Sequence, residues 1–538
     1  MKLNDMGLAD KRLWTEKGYA VPAFDREKVT AATKEAPVWI HFGAGNIFRG
    51  FPAALQQSLL EQGLSDKGII VGEGFDYEII DKIYAPHDDL SLLVVLKSNG
   101  SIEKKVIASV VEAMKCDPSF SLEWDAFKAA FRNPSLQMVS FTITEKGYGL
   151  RNAAGAFFPA VEADFAAGPA HPSMFLSKLT ALVYERYLAG ELPVALVSMD
   201  NCSHNGEKLQ AAVQTIASQW AEHGFVEKGF VDYLADPSKV SFPWSMIDKI
   251  TPRPDANVKA SLDADGFEAT DVVVTDKNTW IAPFVNAEEP QYLVVEDLFP
   301  NGRPALENAG VFFTDRDTVN KVEKMKVCTC LNPLHTCLAI YGCLLGYTLI
   351  ADEMKDPQLS KMVNVIGYVE GLPVVVNPGI LDPQAFIKEV LEVRIPNPFM
   401  PDTPQRIACD TSQKLSIRFG ETIKAYMASR TLKVSDLKLI PLVFAGWCRY
   451  LMGIDDNGNA FELSPDPLLS HVCPYVAGVK LGDDGPFDEI LRSILSDTKI
   501  FGVDLYEAGL APLVIRYFTE LVAGPGAVRK TLLKYVGQ

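Results

Sequence analysis

The sequence lacks the apolar segments that would place it in or across a membrane. Its first residues, MKLNDMGLADKRLW, carry charges throughout and contain no apolar core of the kind found in signal peptides. The longest uncharged apolar stretch, residues 336–351, has sixteen residues and is interrupted by two glycines. A membrane span needs about 20 apolar residues. We therefore expect no membrane partner and a cytoplasmic location.

An excess of basic residues is also missing. The chain has 51 Lys+Arg against 68 Asp+Glu, which gives a formal net charge of −17. Non-specific nucleic-acid binding requires a basic surface, so we expect no nucleic-acid partner. An acidic protein that binds an anionic substrate must build a local positive pocket for it.

Cysteines are few, and their arrangement does not indicate a metal or disulfide framework. There are nine, an odd number, and Cys328 and Cys330 form a C-x-C pair that lacks zinc-ribbon spacing. No H-E-x-x-H pattern is present. We expect reduced thiols that act as small buried hydrophobic residues, and no metal site.

The chain has the composition of a globular protein, and its hydrophobic pattern changes along its length. The chain is 48% hydrophobic and 22% charged, which is typical of a globular protein. Its length of 538 residues suggests two to four domains. The first half alternates apolar strands with amphipathic stretches, which indicates βαβ units and a mostly parallel sheet. A helix is predicted at 51–62. The predicted strands are 38–42, 68–72, 105–111, 137–144 and 194–199, followed by a β-rich outer edge at 271–296.

After a turn cluster at residues 299–302 the periodicity becomes helical. We place a boundary near 310 ± 15. The fold class is therefore α/β, with a Rossmann-type doubly wound domain over residues 1–310 and a mainly α-helical domain over residues 311–538. Helices are predicted at 381–393, 413–427, 435–452 and 487–495.

The first predicted strand leads into a glycine-containing loop that suits a dinucleotide. Gly43 would make the tight turn, and Gly45 would let the backbone approach a pyrophosphate at a helix N-terminus. Phe48 stands where the usual third glycine would be. After the next strand come Glu73 and Asp76, either of which could hold the ribose hydroxyls. No Lys or Arg follows that strand before residue 82, so NAD is favoured over NADP.

The second half carries a lysine, an asparagine and a histidine at the head of an apolar helix. Asn332 and His335 are three residues apart and share a helix face. A desolvated lysine such as Lys326 can act as a base, an amide can donate to an oxyanion, and an imidazole can hydrogen-bond a hydroxyl. The alternative is a solvated Lys326, a helix-capping Asn332 and a core His335.

Five segments that recur in order identify a resemblance. The chain resembles the polyol-specific long-chain dehydrogenase/reductase family over most of its length. The similarity is carried by G-x-G ending in Arg, T-x-T-E-x-G-Y, S-x-D-N…N-G, M-x-D-x-I-T-P and E-D-x-F-x-N-G-R-P, at residues 43–49, 142–148, 198–206, 246–252 and 296–304.

The resemblance implies a zinc-independent, NAD-dependent secondary-alcohol dehydrogenase. It assigns Lys326 as the base, Asn201 and Asn332 as donors to the alkoxide, and His335 and Asp248 as substrate-positioning groups. Lys326 and Asn332 are one residue further apart than the family's K-x4-N, and a one-residue π-bulge would absorb the extra residue. Cofactor contacts are implied for four further residues, Asn46, Arg49, Thr144 and Glu145.

The substrate implied is a sugar acid or a polyol. Arg406 and Lys414 match the spacing of two family residues on the substrate, and Arg can hold a carboxylate bidentately. We favour D-fructuronate and D-mannonate. The alternatives are fructose with mannitol, tagaturonate with altronate, and, from another class, a non-catalytic NAD-binding regulator. The sequence does not predict an oligomeric state.

Overall fold

The structure is a computed structural model that describes residues 1–152, 154–268 and 270–537. It divides into two compact units. Unit 1 comprises Met1–Leu96 and Ser101–Asn320, and unit 2 comprises Lys97–Gly100 and Lys321–Gln538.

The strands are short, as is usual for an α/β protein. In chain order they are β1 Tyr19–Ala20, β2 Trp39–Phe42, β3 Ile69–Glu73, β4 Ser91–Leu96, β5 Ile102–Ile107, β6 Val110–Lys115, β7 Met138–Phe141, β8 Val194–Ser198, β9 Val240–Ser241, β10 Ser245–Asp248, β11 Val273–Val274, β12 Trp280–Ile281, β13 Phe284–Glu288, β14 Tyr292–Glu296 and β15 Phe312–Thr314.

The α-helices are distributed over both units. They are α1 Asp5–Leu8, α2 Lys11–Glu16, α3 Arg26–Glu35, α4 Asn46–Gly50, α5 Pro52–Glu61, α6 Ser121–Arg132, α7 Pro159–Ala167, α8 Phe175–Leu188, α9 Asn205–Glu222, α10 Lys228–Ala235, α11 Ala256–Asp265, α12 Arg316–Met325, α13 Asn332–Leu345, α14 Ile350–Glu353, α15 Pro357–Val365, α16 Pro383–Glu389, α17 Pro404–Ile407, α18 Glu421–Ala428, α19 Leu439–Tyr450, α20 Leu469–Val476, α21 Asp488–Leu495, α22 Thr498–Phe501, α23 Ala511–Leu521 and α24 Ala527–Tyr535.

Several helical segments have π rather than α hydrogen bonding. They are Ile80–Tyr84, Lys326–Cys330, Ile366–Gly371, Val390–Arg394 and Ser416–Gly420.

The main sheet of unit 1 is parallel and has six strands in the order β6-β3-β2-β7-β8-β9. With β2 counted first, this is the strand order of the doubly wound dinucleotide-binding fold. The predicted fold class is confirmed.

Both faces of this sheet are apolar, which explains why its strands are continuous hydrophobic runs rather than alternating ones. Ile40 and Phe42 belong to one buried cluster together with the helices that follow β6, β7 and β8. Trp39, their neighbour in β2, belongs to a second cluster that contains residues of α5 and β13. Successive side chains of β2 therefore point into different cores.

The predicted strand at 105–111 is wrong as a single element. β5 ends at Ile107 and β6 begins at Val110, and the two strands lie in different sheets. At the break, Ser109 donates its hydroxyl hydrogen to the Ala53 carbonyl, while its own carbonyl accepts from Ile69 N–H. These bonds turn the chain from one sheet to the other inside an uninterrupted apolar run.

The region 271–296 also differs from a single outer edge. β11 and β12 pair with each other, β13 pairs with β4, and β14 is the middle strand between β10 and β15. The four strands therefore belong to three separate sheets.

Unit 2 is built almost entirely of helices. Helix α19 packs against α13 and α23, and the three are rich in fully buried apolar residues. The predicted helices at 435–452 and 487–495 correspond to α19 and α21. Those at 381–393 and 413–427 are each part π and part α, because a π segment adjoins α16 and another adjoins α18.

In the described residues, one helical run is long and apolar enough to cross a membrane by length and composition alone. It spans Arg316–Leu345, and 78% of its most apolar window is buried inside the structure. Six of the nine cysteines are buried, four of them in this run and the others at Cys116 and Cys448.

Candidate active site

The loop after β2 has the shape that a pyrophosphate requires. Gly43 has φ +105°, and a Cβ at this position would lie 2.2 Å from the Thr142 carbonyl oxygen, so only glycine fits. Gly45 is the N-cap of α4 and makes no side-chain cap bond. A Cβ at Gly45 would meet no described atom within 4 Å. The first backbone N–H groups of α4 are therefore left for an external acceptor.

Glu73, at the end of β3, fixes this loop. Its Oε2 accepts a hydrogen bond from Ala44 N–H at 2.9 Å, and its Oε1 accepts from Phe75 N–H at 2.9 Å and Asp76 N–H at 3.1 Å. Burial raises the pKa of Glu73. The carboxylate predicted as a possible ribose acceptor is thus already used to hold the backbone. Asp76 accepts from Thr275 Oγ1 at 2.6 Å through Oδ2, while its Oδ1 has no described partner.

Arg49 lies in the interior rather than at the loop surface. Its guanidinium is fully buried and donates to the Ala282 carbonyl at 2.8 Å and to Asn46 Oδ1 at 2.9 Å. Burial lowers the pKa of Arg49 to about 10. Arg49 therefore braces Asn46 from behind. A direct contact between the Arg49 side chain and the cofactor stays a prediction.

The carboxyl ends of β7 and β8 lie beside the loop, because both strands run parallel to β2. Thr144 follows β7 with a positive φ of +64°, and its N–H donates to Asp200 Oδ1 at 2.8 Å. Asp200 Oδ2 accepts from Ile143 N–H at 2.9 Å and from Tyr148 Oη. Burial raises the pKa of Asp200. Asp200 thus fixes the strained turn that Thr144 occupies.

The neighbouring predicted residues are placed as follows. Glu145 is exposed and forms an ion pair with Lys208. Asn201 is exposed and directly follows Asp200. Asp248 is the last residue of β10 and is buried, with Tyr292 of β14 as its cross-strand partner.

Sequence reasoning missed a buried histidine beneath the loop. His41 Nδ1 lies 2.6 Å from Ser140 Oγ, and its Nε2 lies 2.9 Å from Thr142 Oγ1, which also donates to the Gly43 carbonyl. Burial lowers the pKa of His41 to about 3, so the ring is neutral at physiological pH. The hydrophobic pattern of β2 gave no signal for His41, because all four residues of this strand are buried.

In unit 2, Lys326 begins a π-helix. The Leu331 N–H donates to the Lys326 carbonyl at 3.1 Å, a bond across five residues instead of four. The π-helix ends at Cys330 and α13 begins at Asn332 with Pro333 in its first turn. The extra residue between Lys326 and Asn332 is therefore accommodated in a widened turn, as predicted. Lys326 is 4% exposed, whereas Lys324 is exposed.

Asn332 and His335 lie in the first turn of α13 and are half-buried. In the described part of the chain, neither side chain makes a hydrogen bond, so both can receive a ligand. Burial lowers the pKa of His335 to about 4, against an opposing effect of the Asp402 carboxylate. Three nearby guanidinium groups add to the lowering, those of Arg394, Arg418 and Arg406. The imidazole is therefore neutral, and three guanidinium groups and one carboxylate lie near it.

The predicted substrate cations differ from each other in environment. The Arg406 side chain is 60% exposed and is ion-paired with Asp402, four residues earlier. Lys414 is half-buried and donates to the Cys409 carbonyl at 2.5 Å. Burial lowers the pKa of Lys414, and the charge of Arg418 contributes to this lowering.

Arg394 and Arg418 were not selected from the sequence, although both lie near His335. Arg394 is 4% exposed and ends the π-helix Val390–Arg394. Arg418 lies in the π-helix Ser416–Gly420, and its Nη1 donates to Thr336 Oγ1. The sequence gave no signal for either arginine, because each belongs to a different helical segment that folding brings near His335.

In the described residues, no group of three or more His, Cys, Asp or Glu side chains is arranged to hold a metal ion.

Comparison with known proteins agrees with this arrangement. The Rossmann domain model of mannitol dehydrogenase matches residues 38–308, and the mannitol dehydrogenase C-terminal domain model matches residues 318–513. The chain belongs to the mannitol dehydrogenase family, which confirms the resemblance seen in its motifs.

Curated relatives and solved structures extend the match over the whole chain. A D-mannonate oxidoreductase of Thermotoga maritima is 55% identical over 100% of this chain and 99% of its own length. A mannitol 2-dehydrogenase of Cereibacter sphaeroides is 30% identical over 82% of this chain and 85% of its own. A Pseudomonas fluorescens mannitol 2-dehydrogenase, solved as a ternary complex with NAD and D-mannitol, superposes with a TM-score of 0.69 at 25% identity, covering 99% of each chain.

Proposed function

We propose that this protein is an NAD-dependent oxidoreductase that interconverts D-fructuronate and D-mannonate. The observation that carries the proposal is the first turn of α13, where an open amide and a neutral imidazole follow a buried lysine and adjoin several guanidinium groups. This set suits a substrate with hydroxyl groups and a carboxylate. The full-length relative described as a D-mannonate oxidoreductase supports the same substrate pair.

The loop of unit 1 fits NAD. Gly43 permits the turn, and the open backbone at Gly45 suits a diphosphate at the start of α4. Asp76, with one unpaired carboxylate oxygen, is the proposed partner of the ribose hydroxyls. When bound, NAD accepts the hydride that leaves the carbinol carbon of the substrate. The roles proposed for Thr144 and Asn46 are to shape the loop edge on which the cofactor lies.

Lys326 is the proposed general base during oxidation. Its Nζ takes the hydroxyl proton from the substrate and returns it to the carbonyl oxygen during reduction. Asn332 donates a hydrogen bond to the oxygen that carries the developing negative charge. The same role for Asn201 stays a prediction of the family resemblance. His335, neutral by burial, holds a substrate hydroxyl. A substrate contact of Asp248 stays a prediction of the family resemblance.

The test is a spectrophotometric assay of NADH consumption with D-fructuronate, D-tagaturonate and D-fructose in parallel. We expect D-fructuronate to give the highest kcat/KM. A higher value with D-fructose would favour the mannitol alternative, and a higher value with D-tagaturonate would favour the altronate alternative.

The non-catalytic alternative rested on the extra residue after Lys326. The π-helix Lys326–Cys330 accommodates this residue without disturbing the start of α13. The sequence argument for a regulator that has lost catalysis therefore no longer applies. If the protein binds NADH but consumes none with any of the three sugars, the non-catalytic alternative would apply again.

A further inference from the structure

Arg418 presents a positive charge beside the residues proposed to bind substrate. Its Nη1 donates to Thr336 Oγ1, and Thr336 directly follows His335 in α13. Thr336 in turn donates its hydroxyl hydrogen to the Asn332 carbonyl at 2.9 Å. One hydroxyl group thus links the Arg418 guanidinium to the helical turn that carries Asn332 and His335.

The Arg418 guanidinium is not balanced by an ion pair with any residue that the structure describes. Within the described residues, Arg418 forms no ion pair, whereas Arg406 is paired with Asp402 and Arg529 is paired with Asp356. Arg418 is half-buried, and burial lowers its pKa to about 10, so it remains charged at physiological pH. A desolvated charge without a partner is costly, and such a group persists where a ligand supplies the opposite charge.

The geometry leaves donors for that ligand. Nη1 donates to Thr336, whereas Nε and Nη2 have no described hydrogen-bond partner and are not among the enclosed side-chain atoms that lack one, so solvent or a ligand can reach them. These two nitrogens form one edge of the planar guanidinium and match the two oxygens of a carboxylate. Lys414, four residues earlier, donates to the Cys409 carbonyl and is influenced by the carboxylates of Asp410 and Asp466, which leaves Arg418 as the cation available to a ligand.

We propose that Arg418 binds the carboxylate of the sugar acid and thereby selects sugar acids over neutral polyols, with Thr336 holding the guanidinium in place. This inference rests on the proposed function. It moves the carboxylate partner from Arg406, whose charge is balanced by Asp402, to Arg418, whose charge is not.

The test compares Arg418→Met with the wild type for a charged and a neutral ligand of the same size. Removing one partner of a charged hydrogen-bonded pair should raise KM for D-fructuronate and weaken D-mannonate binding by roughly 10²-fold. Binding of D-mannitol, measured by calorimetry in the presence of NAD, should change by less than about threefold because the neutral ligand offers no carboxylate. Arg418→Lys should recover part of the loss for the sugar acid only.

Two controls separate recognition from folding. Arg492→Met removes an exposed arginine paired with Asp488 on α21 and should leave all constants unchanged. Thr336→Val keeps the charge of Arg418 but removes its anchor, so it should raise KM for D-fructuronate with little change for D-mannitol. If Arg418→Met does not fold, as judged by its thermal unfolding, this second variant decides the question.

The outcomes distinguish the inference from the function on which it rests. If the wild type reduces D-fructuronate and Arg418→Met does so with the same KM, the inference is wrong and the function stands. Equal losses for D-mannonate and D-mannitol would also overturn the inference. If the wild type reduces no sugar acid, the proposed function itself is wrong.

Discussion

At the scale of single residues, burial distinguishes two lysines that the sequence places two positions apart. Lys326 is 4% exposed and Lys324 is exposed. Lys326→Ala should lower kcat by about 10²–10⁴-fold, because it removes the group proposed to carry the proton. Lys324→Ala is the matched control and should be nearly silent. Steady-state assays of both variants check this, and exchanged phenotypes would place the base at Lys324.

Substitution of Glu73 and of Asp76, the two carboxylates at the end of β3, should affect the preference between NADH and NADPH differently. If Asp76 holds the ribose, kcat/KM with NADH should exceed that with NADPH by at least about tenfold, because a 2′-phosphate would meet its negative charge. Asp76→Ser should narrow this preference.

Glu73→Gln provides the contrast for that prediction. Glu73 holds the backbone N–H groups of Ala44, Phe75 and Asp76. Its substitution should weaken NADH and NADPH binding alike, measured as dissociation constants by fluorescence titration. If Glu73→Gln instead shifts the preference between the cofactors, Glu73 is the ribose partner.

The sequence indicated the type of most site residues but not their partners. The family resemblance predicted that Arg406 and Lys414 both contact the substrate, yet Arg406 forms an ion pair with Asp402, four residues earlier. Arg418 escaped selection because its neighbour Thr336 is distant in the chain. His41 escaped because a hydrogen-bonded core histidine cannot be told from an apolar residue by periodicity.

At the scale of elements, the π segments explain where helix prediction from periodicity fails. Three of these π segments each adjoin an α-helix and each contain a cation of the candidate site, namely Lys326 in Lys326–Cys330, Arg394 in Val390–Arg394 and Arg418 in Ser416–Gly420. A π turn changes the direction of every later side chain, while its amino-acid composition is that of an ordinary helix. The sequence therefore predicted the positions of these helices but not the directions of their side chains. The exception is the segment between Lys326 and Asn332, where comparison with the family's K-x4-N spacing revealed one extra residue.

That extra residue yields a prediction. Deletion of Val327, the least buried residue between Lys326 and Leu331, should convert the π turn into an α turn and restore the family's spacing. We expect kcat to stay within about tenfold of the wild type, because the α turn returns Lys326 to the same direction.

The matched control is an alanine inserted after Val327, which should rotate Lys326 by about 100° and abolish activity. Circular dichroism verifies that both variants fold. Loss of activity in a folded deletion variant, equal to that of Lys326→Ala, would show that the π geometry itself is needed.

At the scale of the whole molecule, the class of fold followed from the alternation of strands and helices and from the change of texture after residue 300. Strand register and sheet membership could not be predicted in the same way. An apolar run such as 105–111 has the pattern of one strand whether or not the chain passes to another sheet at Ser109. The predicted limits of the domains, 1–310 and 311–538, stay a prediction. The compact units of the structure divide between Asn320 and Lys321.

The stability of the molecule should depend on one buried acid that the proposed chemistry does not use. Glu353, at the end of α14, is fully buried, and neither of its carboxylate oxygens has a described hydrogen-bond partner. Burial raises its pKa to about 10. Glu370 is also buried, but its oxygens accept from the N–H groups of Lys438, Leu439 and Ile440 at the start of α19.

The raised pKa determines the sign of the pH dependence. Between the ordinary pKa of 4.5 and about 10, the folded state holds a proton on Glu353 that the unfolded state has released. The unfolded state binds fewer protons, so this group makes the free energy of unfolding fall as pH rises through that window. Glu353→Gln, a neutral side chain of the same shape, removes the effect. Its gain in Tm over the wild type, measured by scanning fluorimetry, should therefore be small at pH 5.5 and larger at pH 8.5.

Glu370→Gln is the matched control and should lower Tm, because an amide cannot accept all three backbone hydrogen bonds and a lost buried hydrogen bond costs about 1–3 kcal/mol. A Tm gain for Glu353→Gln that is the same at every pH would show that the acid is already ionised in the folded protein.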